Sequence, residues 1–444
     1  MDNQIIVLGA GRSATVLLQY LNQLAQNEGF RFTIADADSA VLAAKTSLLT
    51  AADAVVFSAF EPAEIAGLIG KHTIVISLLP PPMHPLVAKA CLVTKSNLIT
   101  ASYESAAMRE LAGQAEAAGL IFLNECGLDP GIDHMSAMEI IEDLRRKGAK
   151  IKEFYSYCGG LVADECDDNP FKYKISWNPR NVVLAGKGTS RFRQDGRTGL
   201  LPYHRLFAQP DQMEVPGWGQ FEGYANRDSE PYIQTYGLAG IETLKRGTLR
   251  KPGFCERWNA LVQLGLTEDE NVLDFGSDAT YADFMATFVP GFFADPNSSL
   301  ERAGVSPKVV NDILDMGFRP AHPAHLKRTK GTSADFLLDL IVDKWVLRNE
   351  DQDLVVMVHV FNYELEGIDY QTISSFGMKG RNSVETAMAA TVGLPLGIIA
   401  KQMLHNQIRG KGLLLPLHND IYEPVLKELS SFGIQFQTET KILH

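Results

Sequence analysis

The chain has 444 residues, 45% hydrophobic content and a formal net charge of −12, which suits two or three domains of roughly 150 residues with sizeable cores. The acidic balance argues against nucleic-acid binding, which depends on basic surface. The five cysteines include no Cys-X-X-Cys pair, so we expect neither a disulfide framework nor a metal site and predict a cytoplasmic location. No cationic leader precedes the first apolar segment, and the longest uncharged apolar run, 386–400, is shorter than the ~18 residues of a membrane span. We therefore expect neither secretion nor membrane insertion.

The N-terminal segment predicts a dinucleotide-binding βαβ unit. An apolar run leads into the turn Gly9-Ala-Gly11-Arg-Ser-Ala14, an amphipathic helix follows, and a second apolar run ends at Asp36. In this pattern the first glycine permits a tight turn, the second lets the backbone approach a pyrophosphate, and the alanine lets the helix pack close to the sheet. The alternative is a glycine-rich turn that holds no ligand. We assign these residues to the cofactor site: Gly9, Gly11, Arg12, Ser13, Ala14, Asp36 and Leu79.

Asp36 favours NAD over NADP, because a carboxylate there accepts hydrogen bonds from the ribose and repels a 2′-phosphate. Two neighbours leave NADP open. Arg12 could neutralise a phosphate, and Asp38 could be the acid that faces the ribose.

The first 125 residues alternate apolar strands with helical stretches, as expected of a doubly wound parallel (Rossmann) sheet. A helix is predicted at 106–118 and a loop at Pro80–Pro82, because proline has no backbone donor. The predicted strands are 5–8, 31–35, 54–58, 73–79, 97–100 and 120–124.

The sequence pattern becomes strand-like and rich in turns near residue 151. A second, mixed α/β domain is predicted by strand-like runs at 152–161, 173–177, 182–188 and 219–232. Segment 249–330 contains helical patterns at 254–264 and 307–316 and predicts an α-helical third domain. Strands at 353–363 and 368–376 return to the second domain, and 383–403 is a small-residue helix broken near Gly393–Pro395 that packs near the cofactor domain. The predicted division is 1–125 plus about 385–444, 126–248 plus about 331–384, and 249–330.

Chemistry is expected beyond the carboxyl ends of the strands of the first sheet. Two segments, 101–105 and 125–134, follow strands there. Pro130 favours an extended Asp129 and suits the first turn of a helix at 132–147. The Asp129 carboxylate could therefore be an acid, a base or only a helix cap, with the cap favoured, and His134 within that helix is more typical of a structural than of a catalytic residue.

Long phrases of the chain resemble one family, the saccharopine dehydrogenases of the L-glutamate-forming type. The likeness covers essentially the whole chain. It is carried in order by TASYESAAMRELAGQAEAAGLIFLNECGLDPGIDHMSAM, EFYSYCGGLVADECDDNPFKYKISWNPRNVVLAGKG and YANRDSEPY…IETLKRGTLRKPGF. The resemblance implies a Rossmann domain, a second α/β domain that holds saccharopine and contributes to a homodimer, and a mostly helical third domain.

The implied reaction oxidises a secondary amine of saccharopine to an imine, which water cleaves to L-glutamate and 2-aminoadipate 6-semialdehyde, in a lysine pathway that runs in either direction. Carried over by motif, the catalytic residues are Tyr103, Asp129 and Cys158. By the same resemblance, these residues bind substrate: Ser102, Tyr103, Asp129, Arg227, Thr248, Leu249 and Arg250. Guanidinium groups suit the three carboxylates of saccharopine.

Simpler interpretations stay open for two of these residues. Cys158, before two glycines, is also typical of a small buried hydrophobic residue, and Arg227 could pair with Asp228.

Two other functions are alternatives. Polyamine enzymes that handle carboxynorspermidine or homospermidine share this outline, but their cationic substrates favour sites rich in carboxylates and aromatic rings, whereas Arg227 and Arg250 favour an acidic substrate. A non-catalytic NAD-binding regulator would be expected to have a damaged reacting centre, and here Tyr103, Asp129 and Cys158 are all present.

Overall fold

The computed structural model describes residues 3–58, 61–70, 72–322 and 324–443. Contacts between residues divide the chain into two compact units. Unit 1 consists of Met1–Lys150 with Phe376–Thr438, and unit 2 consists of Ile151–Ser375 with Glu439–His444.

The N-terminal segment alternates strands with helices. Its strands are β1 Asn3–Leu8, β2 Arg31–Asp36, β3 Ala52–Val56, β4 Ile74–Ser77, β5 Asn97–Thr100 and β6 Ile121–Leu123. Its helices are α1 Thr15–Glu28, α2 Ser39–Thr46, α3 Pro62–Ile69, α4 His84–Thr94, α5 Ala106–Arg109, α6 Ala112–Ala117 and α7 Ile132–Arg146.

The middle of the chain is richer in strands. These are β7 Lys150–Val162, β8 Thr189–Gln194, β9 Arg197–Pro202, β10 Asp211–Val215, β11 Gly219–Ala225, β12 Thr243–Arg250, β13 Val272–Asp274, β14 Lys330–Thr332, β15 Asp353–Leu365 and β16 Ile368–Lys379. The helices are α8 Pro179–Val183, α9 Pro231–Thr235, α10 Phe254–Gln263, α11 Tyr281–Phe288, α12 Pro296–Arg302, α13 Val310–Ile313 and α14 Ser333–Lys344. The C-terminal elements are α15 Ala387–Leu404, β17 Gly412–Leu414, α16 Asn419–Ser431 and β18 Gln437–Ile442.

Unit 1 is built on a seven-stranded sheet with the order β17-β6-β5-β4-β1-β2-β3. Every pair in it is parallel. Ile5, Ile6 and Val7 of the central β1 are fully buried, because helices cover both faces of such a sheet. The predicted Rossmann architecture and its six strands are confirmed, and β17 is an additional strand at the edge.

Unit 2 contains a nine-stranded mixed sheet, in which β10-β11-β12-β7-β15-β16-β18 run in that order and β8 and β9 pair beside β12. Strands β12 and β7 are parallel, whereas β11 and β12 are antiparallel. The predicted mixed α/β character is confirmed. The helices α10 to α13 pack in one hydrophobic core that also contains Tyr173, Tyr224 and Trp345.

Segment 249–330 shares this core with residues outside the segment, and it therefore lies within unit 2. Helix α7, which the sequence assigned to the second domain, lies in unit 1, where it packs against α16. The division of the chain into three domains stays a prediction.

Several local predictions were wrong. Val182 and Val183 belong to the helix α8 rather than to a strand, because Asn178 caps that helix and Pro179 fits its first turn. The helix predicted at 106–118 is two helices, since Leu111 N–H bonds to Met108 O at 3.0 Å and both side chains thereby enter the core. Likewise, Pro81–Met83 is one turn of 3-10 helix rather than a loop.

The break predicted near Gly393–Pro395 was also wrong, since α15 continues through Pro395. Its two glycines let it pack closely on α1: a Cβ at Gly393 would lie 2.8 Å from the backbone nitrogen of Leu17, and one at Gly397 would lie 2.5 Å from the ring of Tyr20. The stabilisation from this close packing offsets the cost of the backbone hydrogen bond that is lost at proline. By length and composition alone α15 could cross a membrane, but 78% of its residues are buried inside the protein, as in a core helix.

Candidate active site

The glycine-rich turn after β1 has the geometry that the sequence predicted. Gly9 has φ of +99° and donates its N–H to Ala35 O at 2.8 Å. A Cβ there would lie 3.2 Å from the backbone of Leu78. A turn of 3-10 helix, Arg12–Ala14, leads into α1, and no side chain caps either start. The uncapped N–H groups at this helix start fit the phosphates of a dinucleotide.

Asp36, at the end of β2, turns toward this glycine-rich turn. Its carboxylate accepts the N–H of Ala10 at 2.6 Å and that of Asp38 at 2.9 Å. Asp38 itself caps α2 by accepting the N–H groups of Ala40 and Val41. Asp36 is therefore the carboxylate associated with the phosphate turn, and Asp38 has a structural task.

The remaining predicted cofactor residues lie around the same turn. Arg12 is exposed, Ser13 is half-buried, and Ala14 is buried beside the sheet. Leu79, just after β4, is half-buried against the hydrophobic core on one face of the sheet. These residues and Asp36 fit a nicotinamide dinucleotide.

Two loops meet at the carboxyl ends of β5 and β6. The hydroxyl group of Tyr103 donates a hydrogen bond to the Asp129 carboxylate at 3.0 Å. The interpretation of Asp129 as a helix cap was wrong: Gly131 is the N-cap residue of α7, and Asp133 accepts its N–H at 2.6 Å. Asp129 lies upstream of the helix, and its carboxylate accepts the hydroxyl of Tyr103. The first N–H groups of α7 donate to backbone carbonyls, Ile132 N–H to Gly127 O and Asp133 N–H to Leu128 O.

His134 is fully buried and joins the two loops indirectly. Its Nε2 lies 2.7 Å from Glu125, and the second oxygen of Glu125 accepts the N–H of Glu104 at 2.9 Å. Glu125 has φ of +59°, an uncommon conformation for a residue other than glycine. His134 therefore supports the loop around Tyr103, as the structural interpretation of this residue expected.

Sequence reasoning missed a second histidine, His84, the first residue of α4. Its Nε2 lies 2.8 Å from the hydroxyl of Ser102, and its Nδ1 lies 3.0 Å from that of Ser77. Burial lowers the pKa of His84 to about 4. The available signal was a hydroxyl residue in each of two neighbouring predicted strands, Ser77 in 73–79 and Thr100 at the end of 97–100, to which the sequence-based prediction gave no role.

The other predicted residues lie in unit 2, on and beside β12. Thr248 is in register with Cys158 on β7 and with Tyr224 on β11. Side chains on one face of a sheet alternate along each strand, so Cys158, Tyr224, Thr248 and Arg250 share a face. Leu249 points to the opposite face and is fully buried in a hydrophobic core there, which leaves its backbone for any contact with substrate.

Arg250 is almost completely buried among aromatic rings. Its guanidinium carbon lies 5.0 Å from the ring centre of Tyr173, 5.2 Å from that of Phe254 and 5.6 Å from that of Tyr224. One nitrogen donates to Leu249 O at 2.9 Å, and Nε has no hydrogen-bond partner. Across the described ranges, no carboxylate forms an ion pair with Arg250.

A buried cation without a carboxylate partner is costly unless an anion arrives. Burial by itself lowers the pKa of Arg250, but the neighbouring Tyr224 and Tyr173 raise it, and the net direction is upward. The guanidinium thus stays charged. The arrangement fits the carboxylate of a ligand.

Arg227 and Cys158 differ in exposure. Arg227 is exposed with φ of +52°, and its carbonyl accepts the N–H of Arg191 at 3.0 Å. Asp228 lies 3.8 Å from the guanidinium of Arg191, so this acid has a partner other than Arg227. Cys158 is buried, and its position opposite Thr248 sets it on the Arg250 face.

The chain matches two family models in succession. Residues 5–123 match the "Saccharopine dehydrogenase NADP binding domain", and residues 127–434 match the "Saccharopine dehydrogenase C-terminal domain". The "Saccharopine dehydrogenase [NADP(+), L-glutamate-forming]" of Saccharomyces cerevisiae is 32% identical over 452 residues, which cover 99% of this chain and 100% of the yeast protein. The bovine mitochondrial "Alpha-aminoadipic semialdehyde synthase" is 32% identical over 85% of this chain, which spans only 42% of the bovine protein.

Solved structures give the same picture. The apo saccharopine dehydrogenase (L-Glu forming) from Saccharomyces cerevisiae superposes with a TM-score of 0.89 at 30% identity, covering 99% of this chain and 100% of the yeast chain. The homospermidine synthase of Legionella pneumophila in complex with NAD has a TM-score of 0.59 at 10% identity, over 99% of this chain and 92% of its own. The latter likeness concerns the fold alone.

Proposed function

Because the chain belongs to the saccharopine dehydrogenase family, we propose that it interconverts saccharopine, NAD(P)+ and water with L-glutamate, 2-aminoadipate 6-semialdehyde and NAD(P)H. The full-length match to a yeast enzyme of that name supports this reaction. The observation within the molecule that carries the proposal is Arg250, a buried guanidinium with no carboxylate partner in the described part of the chain. Such a group suits a substrate with three carboxylates.

Different residues have different parts in this mechanism. Bound nicotinamide supplies the acceptor for the hydride that leaves the carbon next to the secondary amine. Arg250 binds a substrate carboxylate, and the Thr248 hydroxyl, on the same face of the sheet, adds a neutral hydrogen bond. Arg227 binds another carboxylate from its exposed position.

Asp129 accepts the proton that the amine nitrogen loses as the imine forms, and it then orients the water that adds to the imine carbon. General acid/base catalysis of this kind contributes about 10²- to 10⁴-fold. Tyr103 holds the Asp129 carboxylate through its 3.0 Å hydrogen bond. Cys158 lines the substrate site from β7.

We propose that this chain prefers NAD. The matching family model and the fungal relatives carry NADP in their names, but Asp36 sets a carboxylate at the end of β2, bonded to the phosphate turn through Ala10 N–H. A carboxylate at this position accepts hydrogen bonds from the ribose hydroxyls of NAD and repels the 2′-phosphate of NADP. A cytoplasmic homodimer is also proposed, on the cysteine content and the family resemblance, and light scattering on purified protein tests the oligomeric state.

The first experiment follows the absorbance of reduced nicotinamide while the purified protein receives saccharopine with NAD or with NADP. We expect cofactor reduction that depends on saccharopine and releases glutamate in equal amount. The polyamine alternatives, carboxynorspermidine and homospermidine, are supplied in parallel. Turnover of either polyamine but not of saccharopine overturns the proposal, and binding of NAD without any turnover favours a non-catalytic role.

A further inference from the structure

A buried histidine connects the ends of two strands of the cofactor sheet to the loop that carries Tyr103. Ser77 ends β4, Thr100 ends β5, and the two residues are in register on adjacent strands. His84 lies against both: its Nδ1 is 3.0 Å from the Ser77 hydroxyl, and its Nε2 is 3.2 Å from the Thr100 hydroxyl. The same Nε2 is 2.8 Å from the hydroxyl of Ser102. Both ring nitrogens therefore have hydroxyl partners.

The imidazole is neutral at ordinary pH. His84 is 2% exposed, and burial lowers its pKa to about 4. A neutral imidazole has one donor and one acceptor nitrogen, so its contact with Ser77 and its contact with Ser102 use opposite hydrogen-bonding roles. Ser77 thus orients the ring, and the ring orients the Ser102 hydroxyl.

Ser102 begins a loop that is anchored on both sides of Tyr103. On one side, the Ser102 N–H donates to the Thr100 hydroxyl at 3.2 Å, and the Ser102 carbonyl accepts the Glu125 N–H at 3.1 Å. On the other side, the Glu104 N–H donates to Glu125 at 2.9 Å. Tyr103 itself reaches Asp129. The hydrogen bond between His84 and Ser102 fixes the Ser102 side chain at the start of this loop.

We propose that His84 is a positioning residue, which, through the Ser102 hydroxyl, holds the Ser102–Glu104 loop in the geometry that aligns Tyr103 with Asp129. The inference rests on the proposed function, in which Asp129 transfers the proton. Small displacements of catalytic groups are costly, since an error of about 1 Å can lower a rate ~10²-fold.

The test is a double-mutant cycle on saccharopine oxidation with His84→Leu, Ser102→Ala and the double variant. We expect His84→Leu to lower kcat about 10- to 100-fold and to change the dissociation constant of the reduced cofactor less than about 2-fold. In the Ser102→Ala background, His84→Leu should have little further effect on kcat, because the group through which it acts is absent. His84→Gln, which keeps a donor and an acceptor, should retain more activity than His84→Leu.

His72→Leu is the matched control. His72 also contacts a hydroxyl, that of Thr33 at 2.9 Å, and burial also lowers its pKa. His72 precedes the amino end of β4, whereas His84 contacts Ser77 at the carboxyl end of the same strand. We expect kcat to stay within about 2-fold of the parent protein, whereas a general weakening of the sheet would lower activity in both histidine variants.

Two outcomes overturn the inference if the parent enzyme is active on saccharopine. In one, His84→Leu lowers kcat by the same factor in the parent and in the Ser102→Ala background. In the other, His84→Leu and His72→Leu lower kcat equally. If His84→Leu does not fold, the cycle is run with His84→Gln and judged by the same criterion. An inactive parent protein overturns the proposed function, and the inference with it, so the two failures are distinguishable.

Discussion

The Tyr103 hydroxyl donates a 3.0 Å hydrogen bond to the carboxylate of Asp129, 26 residues further along the chain. The two residues lie on loops that follow neighbouring strands, β5 and β6. Parallel strands bring such loops to one edge of the sheet. The pair therefore joins a carboxylate that can accept a proton to a hydroxyl that restricts its orientation.

Replacing Asp129 by Asn should lower kcat about 10²- to 10⁴-fold, because the amide cannot accept a proton. The KM for the cofactor should change little. Tyr103→Phe keeps the proton acceptor and loses only a hydrogen bond, so its kcat should fall less than that of Asp129→Asn. Steady-state kinetics on both variants measure this order, and a larger loss in Tyr103→Phe would assign the proton transfer to the tyrosine.

Arg250→Met should raise the KM for saccharopine about 10- to 100-fold, which corresponds to the roughly 1.5–3 kcal/mol of a hydrogen bond to a charged group. Its folding stability should stay equal or rise, because a buried cation that has no carboxylate partner among the described residues is replaced by an apolar side chain. Urea unfolding and kinetics measure the two effects separately. The control is Arg180→Met, at an exposed arginine that pairs with Asp335, for which KM should not change. A stability loss without a rise in KM would make Arg250 a structural residue.

Asp36→Ala should shift the ratio of kcat/KM for NAD to that for NADP toward NADP by about 10-fold or more, or about 1.4 kcal/mol. The reason is that the carboxylate that repels the 2′-phosphate is removed. Asp38→Ala is the control in the same loop. Since Asp38 caps α2, its loss should lower stability by about 1 kcal/mol and leave the cofactor ratio unchanged. A parent protein that already prefers NADP would contradict the role given to Asp36.

The low pKa of His84 makes the stability of the protein depend on pH. Burial lowers this pKa from 6.5 to about 4 in the folded state, so the unfolded state binds the proton more readily. The free energy of unfolding should therefore lose nothing from this group above pH 6.5, fall as the pH decreases toward 4, and level off below it. The full loss is roughly 3 kcal/mol. Urea unfolding at several pH values should show this component in the parent protein and a weaker pH dependence in His84→Gln.

Gly393→Ala should destabilise the protein by about 1–3 kcal/mol, because the added Cβ would lie 2.8 Å from the backbone of Leu17 and would push α15 away from α1. Gly113→Ala is the matched control. Gly113 is also inside a helix, α6, but a Cβ there meets no atom within 4 Å. Alanine should therefore stabilise at this position by up to about 1 kcal/mol. Thermal unfolding compares the pair, and similar shifts in Tm would contradict the close approach of the two helices.

Sequence reasoning predicted those parts of the molecule that depend on local patterns. The glycine-rich turn, the six strands of the first sheet and the carboxylate at Asp36 lie within segments whose periodicity or turn chemistry is readable without a partner. The chain also determined its family by long motifs, and with it the residues around Asp129 and Arg250.

Only the tertiary structure decided what those residues contact. The side chain of Asp129 meets Tyr103 instead of capping α7, and Leu249 turns into a core while Arg250 on the next position is surrounded by rings. The sequence predicted no role for His84, because its partners Ser77 and Ser102 lie at or just after the ends of two different strands, β4 and β5. Pro395 stays inside a helix because α1 packs against the glycines beside it. In each case the deciding contact joins elements separated in sequence, and the pattern of one segment carries no information about the surface that another segment presents to it.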